Sequence, residues 1–119
     1  MHELGVAEGV LDIVRAHVPP GRARDVRAVR VRIGDWSGVL ADSLEFCFGA
    51  IVAGTPFASA ALDLERVPAL GRCSTCGHEF ELDRPGAGCP MCLSALVSMS
   101  GGRELQVVSV ELDEPEADR

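Results

Sequence analysis

The chain has 119 residues, with 11 basic against 18 acidic side chains and a formal charge of −7. This length suits one modest domain with a small appendage, and a hydrophobic fraction of 47% is enough for a core. The acidic balance argues against a general nucleic-acid binder, which usually carries a basic field. No apolar run approaches the roughly 20 residues of a membrane span. The N-terminus lacks the regions of a signal peptide, so we expect a cytoplasmic protein.

The first half of the chain predicts a helix, a strand and a second helix. Apolar residues recur at steps of three and four between residues 2 and 18, as in an amphipathic helix. Residues 24–34 alternate between polar and apolar, which predicts a strand with one solvated face. A second helix is expected to begin at a cap, Asp42 or Ser43, and to end near Ala53. Cys47 lies on its apolar face, where it is most simply a buried small hydrophobic residue.

The second half predicts two further strands, at residues 60–67 and 103–112, separated by a cysteine-rich segment. The last strand can join the same sheet only if that segment is an insertion, and the strands that flank the second helix suggest a right-handed crossover. We therefore expect an α+β fold, with two helices on a small mixed three-stranded sheet and an inserted zinc-ribbon-like domain. The expected boundaries are 1–68 and 100–119 for the first domain and 69–99 for the second. Residues 113–119 are acidic and predict a loose tail.

Five arginines form a basic stripe along the first strand and its approach: Arg22, Arg24, Arg27, Arg30 and Arg32. Such a stripe serves either an acidic partner, such as nucleic acid, or a solvated strand face. We favour the solvated face, because the chain as a whole is acidic.

The cysteine segment contains two Cys-x2-Cys pairs, Cys73 with Cys76 and Cys89 with Cys92, separated by twelve residues. Each pair can direct two thiolates at one point, and two facing pairs make a tetrahedral S4 set that suits zinc or iron. Gly77 follows the first pair, where the turn needs a residue that tolerates positive φ. Two disulfides are the alternative, which the absence of a signal peptide disfavours. Such a metal usually holds a small segment folded.

Met1-His2-Glu3 is a second candidate metal site. A terminal amine, an imidazole and deprotonated backbone amides make a nitrogen-rich, nearly planar ligand set, which favours Ni(II) or Cu(II) over zinc. Glu3 could contribute its amide nitrogen, its carboxylate or a hydrogen bond to the site. Taken alone the triplet is a weak indication, because histidine often stands second by chance.

The motifs occur in a distinctive order. Met1-His2-Glu3-Leu4 opens the first helix, and Val31-Arg32-Ile33-Gly34 is followed by Ser37-Gly38-Val39. Phe80 and Pro90 accompany the cysteines, and Gly102-Arg103-Glu104-Leu105 opens the last strand. In this order, over nearly the whole chain, the sequence resembles the HypA/HybF family of nickel chaperones for hydrogenase maturation. It departs from the family pattern at Gly5, where serine is common, and at Leu93, where glycine is usual, and neither is a presumed ligand.

The resemblance implies a metallochaperone and not an enzyme. It implies one Ni(II) bound by the amine of Met1, by His2 and by Glu3, and one structural zinc bound by Cys73, Cys76, Cys89 and Cys92. It also implies delivery of nickel to the precursor of the [NiFe]-hydrogenase large subunit, a HypB-type GTPase as partner and, in some bacteria, service to urease maturation. An additional oxygen ligand near the second helix is possible in the family, and Asp42 and Asp35 are the local candidates.

Three other functions compete with this one. A zinc-ribbon module that binds nucleic acid needs a basic surface, but residues 73–92 contain one arginine against three acidic residues. A rubredoxin-like iron carrier uses most of its chain for the metal, whereas here most of the chain lies elsewhere. An enzyme needs a nucleophile–base set or a phosphate loop, and neither is evident. His78, beside the first cysteine pair, is more simply an exposed polar residue than a ligand.

Overall fold

The computed structural model describes residues 2–84 and 86–114. Met1, which belongs to the predicted nickel site, lies outside the described residues, as does most of the predicted tail. The elements in chain order are α1 (His2–His17), a 3-10 turn (Ala23–Asp25), β1 (Val26–Gly34), α2 (Ala41–Val52), β2 (Ala61–Val67), β3 (Leu70–Cys73), β4 (Glu79–Glu81), β5 (Val97–Ser100) and β6 (Leu105–Leu112). Neither of the two described α-helices is long and apolar enough to cross a membrane.

The first sheet has the strand order β2-β1-β6. Arg30 and Arg32 of β1 pair with Asp63 and Glu65 of β2, and this common direction indicates parallel strands. On the other side of β1, two hydrogen bonds link opposite strand ends, from Gly34 N–H to the Glu104 carbonyl and from Asp113 N–H to the Asp25 carbonyl. These bonds indicate that β1 and β6 are antiparallel. The mixed three-stranded sheet with two helices confirms the predicted α+β fold.

The chain divides into two compact units, and the first comprises Met1–Arg32, Val39–Glu65 and Gln106–Arg119. Its core is built from one face of each helix and from the inner face of β1. The side chains that are almost completely buried there include Ala7, Val14, Val26, Val29, Val31, Leu44 and Phe48. Burial of each valine, leucine or phenylalanine contributes about 1.5–3 kcal/mol, so this packing fixes the position of the N-terminus of α1 against α2.

The predicted cap of the second helix is wrong. The N-cap residue is Leu40 and no side-chain cap hydrogen bond is made, so neither Asp42 nor Ser43 fills that role. Instead, the N–H of Leu40 donates a 3.1 Å hydrogen bond to the carboxylate of Glu3, which belongs to the first helix. A carboxylate at this end also complements the partial positive charge of a helix N-terminus.

The second unit comprises Ile33–Gly38 and Arg66–Leu105. It contains an antiparallel sheet in the order β4-β3-β5, with Arg72 opposite Glu79 and Cys73 opposite Val97. The sequence did not predict these three short strands. The last strand also begins at Leu105 and not at residue 103, and it is preceded by Gly101 and Gly102, which both adopt positive φ.

The loop after β1 binds both chain segments that lead into and out of the cysteine-rich part of this unit. Asp35 N–H donates to the Val67 carbonyl at 2.9 Å, and Trp36 N–H donates to the Gly102 carbonyl at 2.6 Å. A Cβ on Gly34 would lie 2.2 Å from the backbone carbon of Gly102, so only glycine permits this close approach.

The arginine stripe is largely neutralised within the fold. Arg22 pairs with Asp25 at 2.8 Å, Arg27 with Glu111 at 2.9 Å, and Arg30 with Asp63 at 3.0 Å. Because acidic neighbours neutralise these arginines, the strand lacks the positive potential of a surface that binds nucleic acid. This agrees with the solvated strand face that we favoured.

Candidate metal centres

The two cysteine pairs form two turns with the same backbone geometry. In the first, Gly77 N–H donates to the Cys73 carbonyl at 2.9 Å, and in the second Leu93 N–H donates to the Cys89 carbonyl at 2.9 Å. Gly77 has φ 79° and Leu93 has φ 66°. The sequence predicted positive φ at Gly77, whereas Leu93 adopts the same conformation without the freedom of glycine. Each turn therefore presents its two sulfurs to one side.

The four sulfurs lie within 4.8 Å of one another. Cys73 Sγ is 3.5 Å from Cys92 Sγ, and Cys76 Sγ is 3.6 Å from Cys89 Sγ. A tetrahedral site with metal–sulfur bonds of about 2.3 Å has sulfur–sulfur edges of about 3.8 Å, so the observed spacing fits a bound metal. The same distances are far too long for a disulfide bond, whose sulfurs lie about 2.05 Å apart. All five cysteines are in fact free of disulfides.

Backbone N–H groups stabilise the thiolate form of Cys73, which is the form that binds a metal. Hydrogen bonds from the N–H groups of Cys76, at 3.4 Å, and Thr75, at 3.3 Å, stabilise the thiolate and lower the pKa of Cys73 to about 6, against the opposing effect of burial. For Cys92, the Ser94 N–H lowers the pKa, but the hydrogen bond with Cys73 and burial raise it to about 12. In the metal-free protein the sulfurs thus share protons, which a bound metal displaces.

The described part of the N-terminal site consists of His2 and Glu3, at the start of α1. The His2 side chain is 59% exposed, whereas that of Glu3 is only 11% exposed, and His2 Nε2 lies 3.3 Å from Glu3 Oε2. The same oxygen, Oε2, accepts the hydrogen bond from Leu40 N–H. Glu3 therefore connects the accessible imidazole to the start of α2.

The Glu3 carboxyl also has a lowered pKa. The hydrogen bond from Leu40 N–H holds the pKa of Glu3 below its ordinary value of 4.5, with burial opposing the shift and the nearby His2 adding to it. Since the pKa is lower in the folded state, the charged carboxylate stabilises the fold at pH values above 4.5. That contribution is lost as the pH falls through the lower folded-state pKa.

We expect the metal-free native protein to lose more stability between pH 5 and pH 3 than a Glu3→Gln variant does. Glutamine retains an oxygen that can accept the Leu40 N–H but carries no charge to neutralise. Thermal melting across this pH range measures the difference, and Glu8→Gln, an exposed change on the same helix, is the matched control. Parallel acid profiles for native and Glu3→Gln would contradict the structural role given to this carboxylate.

The two candidates for an additional oxygen ligand differ in their surroundings. Asp35 accepts two hydrogen bonds from Arg66, at 2.7 and 2.6 Å, and this pairing raises the pKa of Arg66. A nickel ion would have to displace Arg66 to reach Asp35, so the structure disfavours this candidate. Asp42 is exposed in the first turn of α2, two residues after Leu40.

The two remaining candidates are Cys47 and His78, whose carbonyl accepts a 2.9 Å hydrogen bond from the Cys73 N–H. His78 is half-buried and stacks on Phe80, with ring centroids 5.7 Å apart, so it is less exposed than the sequence suggested. Cys47 is also half-buried on α2, where full burial was expected. Among the described His, Cys, Asp and Glu residues, the four-cysteine cluster is the one group of three or more whose ligand atoms converge.

The sequence analysis missed two residues that contact candidate ligands. Leu40 contributes a backbone N–H, which leaves no trace in the sequence. Arg66 belongs to a predicted strand, but its pairing with Asp35 depends on a loop conformation about thirty residues away.

Comparison with known proteins decides the family. The model of the family described as "Hydrogenase/urease nickel incorporation, metallochaperone, hypA" matches residues 1–112. The chain belongs to the HypA family. Members of this family are maturation factors and not enzymes, and both relatives described next have the printed name "Hydrogenase maturation factor HypA".

The relatives match along almost the whole chain. The protein from Desulfosudis oleivorans is 39% identical over 115 residues, covering 96% of this chain and 100% of the relative. The protein from Streptomyces avermitilis is 42% identical over 116 residues, covering 96% of this chain and 88% of the relative. The solution structure of the Ni metallochaperone HypA from Helicobacter pylori has a TM-score of 0.60 at 24% identity, with coverage of 94% and 97% of the two chains. This last likeness supports the fold.

Proposed function

We propose that this protein binds Ni(II) at its N-terminus and delivers it to the precursor of the large subunit of [NiFe]-hydrogenase. A HypB-type GTPase is its proposed partner, together with urease maturation proteins in organisms that make urease. The observation that carries the proposal is the match of residues 1–112 to a family of nickel-incorporation metallochaperones. The reduced cysteines that the metal site requires are consistent with a cytoplasmic location.

The proposed nickel ligands are the amine of Met1, the His2 imidazole and Glu3. The His2 side chain is accessible at the helix start, as a site that hands on its metal requires. The Glu3 carboxylate already binds the Leu40 N–H and lies beside His2. We therefore assign the metal bond of Glu3 to its backbone nitrogen, and we assign to its carboxylate the orientation of the imidazole.

The proposed resident metal is a structural zinc held by Cys73, Cys76, Cys89 and Cys92. Zinc accepts four thiolates in tetrahedral geometry and has no redox chemistry, which suits a folding role. Iron would suit the same sulfurs, but an iron protein would be coloured and a zinc protein colourless. The functional domains proposed are a nickel domain, residues 1–68 and 100–119, and a zinc ribbon, residues 69–99.

A transfer experiment tests the delivery function. The protein is loaded with radioactive nickel and incubated with the purified large-subunit precursor and the GTPase, and the nickel in the re-isolated precursor is counted. We expect native protein to transfer nickel and His2→Ala to transfer none above background. Equal transfer from both proteins, or none from the native one, would refute delivery from the N-terminus.

Partner binding should involve the exposed acidic side of α1. Glu8 and Asp12 lie there in a shallow cleft with Arg15, and the Asp12–Arg15 contact of 3.6 Å is an exposed pair that holds Asp12 only weakly. Because electrostatic steering changes association rates by about 10- to 1000-fold, the double reversal Glu8→Lys with Asp12→Lys should weaken GTPase binding at least about tenfold. Nickel binding should be unchanged.

Surface-immobilised GTPase gives the dissociation constant for each variant. Asp83→Lys is the matched control, since Asp83 is equally exposed, also pairs with a neighbouring arginine at 3.6 Å, and lies outside the helices. If Asp83→Lys weakens binding as much as the helix reversal does, net charge and not α1 determines recognition.

A further inference from the structure

Two side-chain hydroxyl groups connect the two cysteine turns of the ribbon. Thr75 lies inside the first turn, and Ser94 follows the last cysteine by two residues. Their side-chain oxygens are 2.9 Å apart, and either hydroxyl can donate. This distance lies within the range of ordinary O–H···O hydrogen bonds. Neither residue is a proposed metal ligand, so the bond between them needs an explanation of its own.

The same two residues also contact sulfurs through their backbone. The Thr75 N–H donates to Cys73 Sγ at 3.3 Å, and the Ser94 N–H donates a hydrogen bond to the Cys92 sulfur. The sulfurs of Cys73 and Cys92 are themselves 3.5 Å apart. The four residues therefore form a closed ring, with the two hydroxyls on one side and one edge of the sulfur cluster on the other.

Ser94 also holds the second cysteine turn in shape. Its carbonyl accepts a 2.9 Å hydrogen bond from the Cys89 N–H, and its Oγ accepts one of 3.1 Å from the Leu96 N–H. The Leu96 carbonyl accepts a 2.8 Å bond from the N–H of Ser74, which belongs to the first turn. Because Ser94 is fixed to both cysteines of the second turn, a bond to its hydroxyl restrains that turn as a whole.

We propose that Thr75 and Ser94 are positioning residues for the resident metal, and that the hydrogen bond between their side chains slows the release of zinc. This inference rests on the proposed structural zinc. Each turn supplies two of the four sulfurs, so the two turns must separate before the metal is lost. A bond between the turns keeps a sulfur that has left the metal close to it, and this high effective concentration favours rebinding over release.

The hydroxyl pair lies beside the accessible sulfurs. Cys76 and Cys92 are exposed, whereas Cys73 and Cys89 are buried. A chelator or a competing thiol therefore reaches the exposed pair first. Thr75 directly precedes one exposed cysteine and Ser94 closely follows the other, so their bond restrains the sulfurs that are attacked first. Slow release suits a metal that remains in the protein while another is handed on.

The rate of zinc release from the full chain to an excess of a chromogenic chelator tests the proposal. Thr75→Val removes the hydroxyl with little change of shape, and release should become about tenfold faster, the lower limit for loss of a residue that supports a metal ligand. Thr75→Ser retains the hydroxyl and should release zinc at the native rate. Ser98→Ala is the matched control, since it removes a serine hydroxyl of β5 that donates to the Arg72 carbonyl at 3.4 Å.

A double variant tests whether the two hydroxyls act through one bond. If they do, Thr75→Val combined with Ser94→Ala should release zinc more slowly than the product of the two single effects predicts. Effects that multiply would overturn the proposal, as would fast release from Thr75→Ser. If Ser94→Ala fails to fold, the comparison of Thr75→Val with Thr75→Ser decides.

Hydrogen exchange of the zinc-loaded protein separates positioning from a general loss of stability. The amides of β3 and β5 should exchange in Thr75→Val as they do in native protein, and faster exchange there would overturn the positioning role. A native chain that binds no zinc refutes the resident metal and this inference together. A native chain that binds zinc, with no faster release from Thr75→Val, refutes this inference alone.

Discussion

Replacing Cys73 with alanine is expected to release the proposed zinc and to unfold the ribbon around it. Cys73 is almost fully buried, its sulfur lies 3.5 Å from that of Cys92, and its backbone belongs to β3, the central strand of the second sheet. Even the loss of a residue that only hydrogen-bonds a metal ligand lowers metal affinity by about 10- to 100-fold. Removal of a direct ligand should therefore lower zinc affinity by more than about 100-fold.

The consequence for folding follows from the size of the ribbon. Its three strands have three to four residues each, too few to be stable without further support. Metal binding can supply much of the folding free energy of such a segment. Amides between residues 70 and 100 should exchange much faster in Cys73→Ala than in native protein, while those of α1 and α2 should be largely unaffected.

Metal analysis and hydrogen exchange are measured on the same preparations. Ser74→Ala is the matched control, because Ser74 is exposed and its side chain is next to the ligand without being one. One zinc per chain in Cys73→Ala, together with native exchange in the ribbon, would contradict the structural role of the metal.

Replacing His2 with alanine is expected to abolish tight Ni(II) binding. Because loss of a residue that only hydrogen-bonds a metal ligand already lowers metal affinity by about 10- to 100-fold, loss of the proposed ligand itself should lower it by more than about 100-fold. The imidazole is 59% exposed, so its removal takes little packing from the fold and stability should hardly change. Because nickel binds only the unprotonated imidazole and amine, the affinity of native protein should also fall as the solution is acidified.

Calorimetric titration with Ni(II) measures this effect. His17→Ala is the matched control, since His17 is an exposed histidine at the opposite end of the same helix, where its Nδ1 lies 2.8 Å from the Ile13 carbonyl. If His2→Ala binds nickel with native affinity, the proposed nickel site at the N-terminus is wrong.

The sequence predicted the elements that depend on local pattern. The three- and four-residue periodicity gave α1 to within one residue of its end at His17, and alternation gave β1 through Val29, Val31 and Ile33. The spacing of the cysteines likewise predicted their convergence, because a Cys-x2-Cys turn fixes two sulfurs through local backbone geometry alone.

Features that depend on distant partners were not predictable. The start of α2 is determined by Glu3, 37 residues away, so the local capping residues Asp42 and Ser43 were misleading. The sequence suggested Asp35 as a ligand because no residue near it in the chain indicates its pairing with Arg66. In the folded protein Arg66 donates a hydrogen bond to the Asp35 carboxylate. The short strands β4 and β5 do alternate between polar and apolar residues, but their runs of three and four residues are too short to distinguish a strand from a loop, and they gain their stability from pairing with β3.

A nickel titration of an N-terminally extended chain tests the central claim most directly, namely that the site is built on the chain terminus. A short removable extension before Met1 retains every side chain but converts the terminal amine into an amide. We predict weak nickel binding before the extension is removed and full native affinity after a protease restores Met1 as the first residue. Equal and tight binding in both states would contradict the account, because side chains alone, such as Asp42 or His78, would then hold the metal.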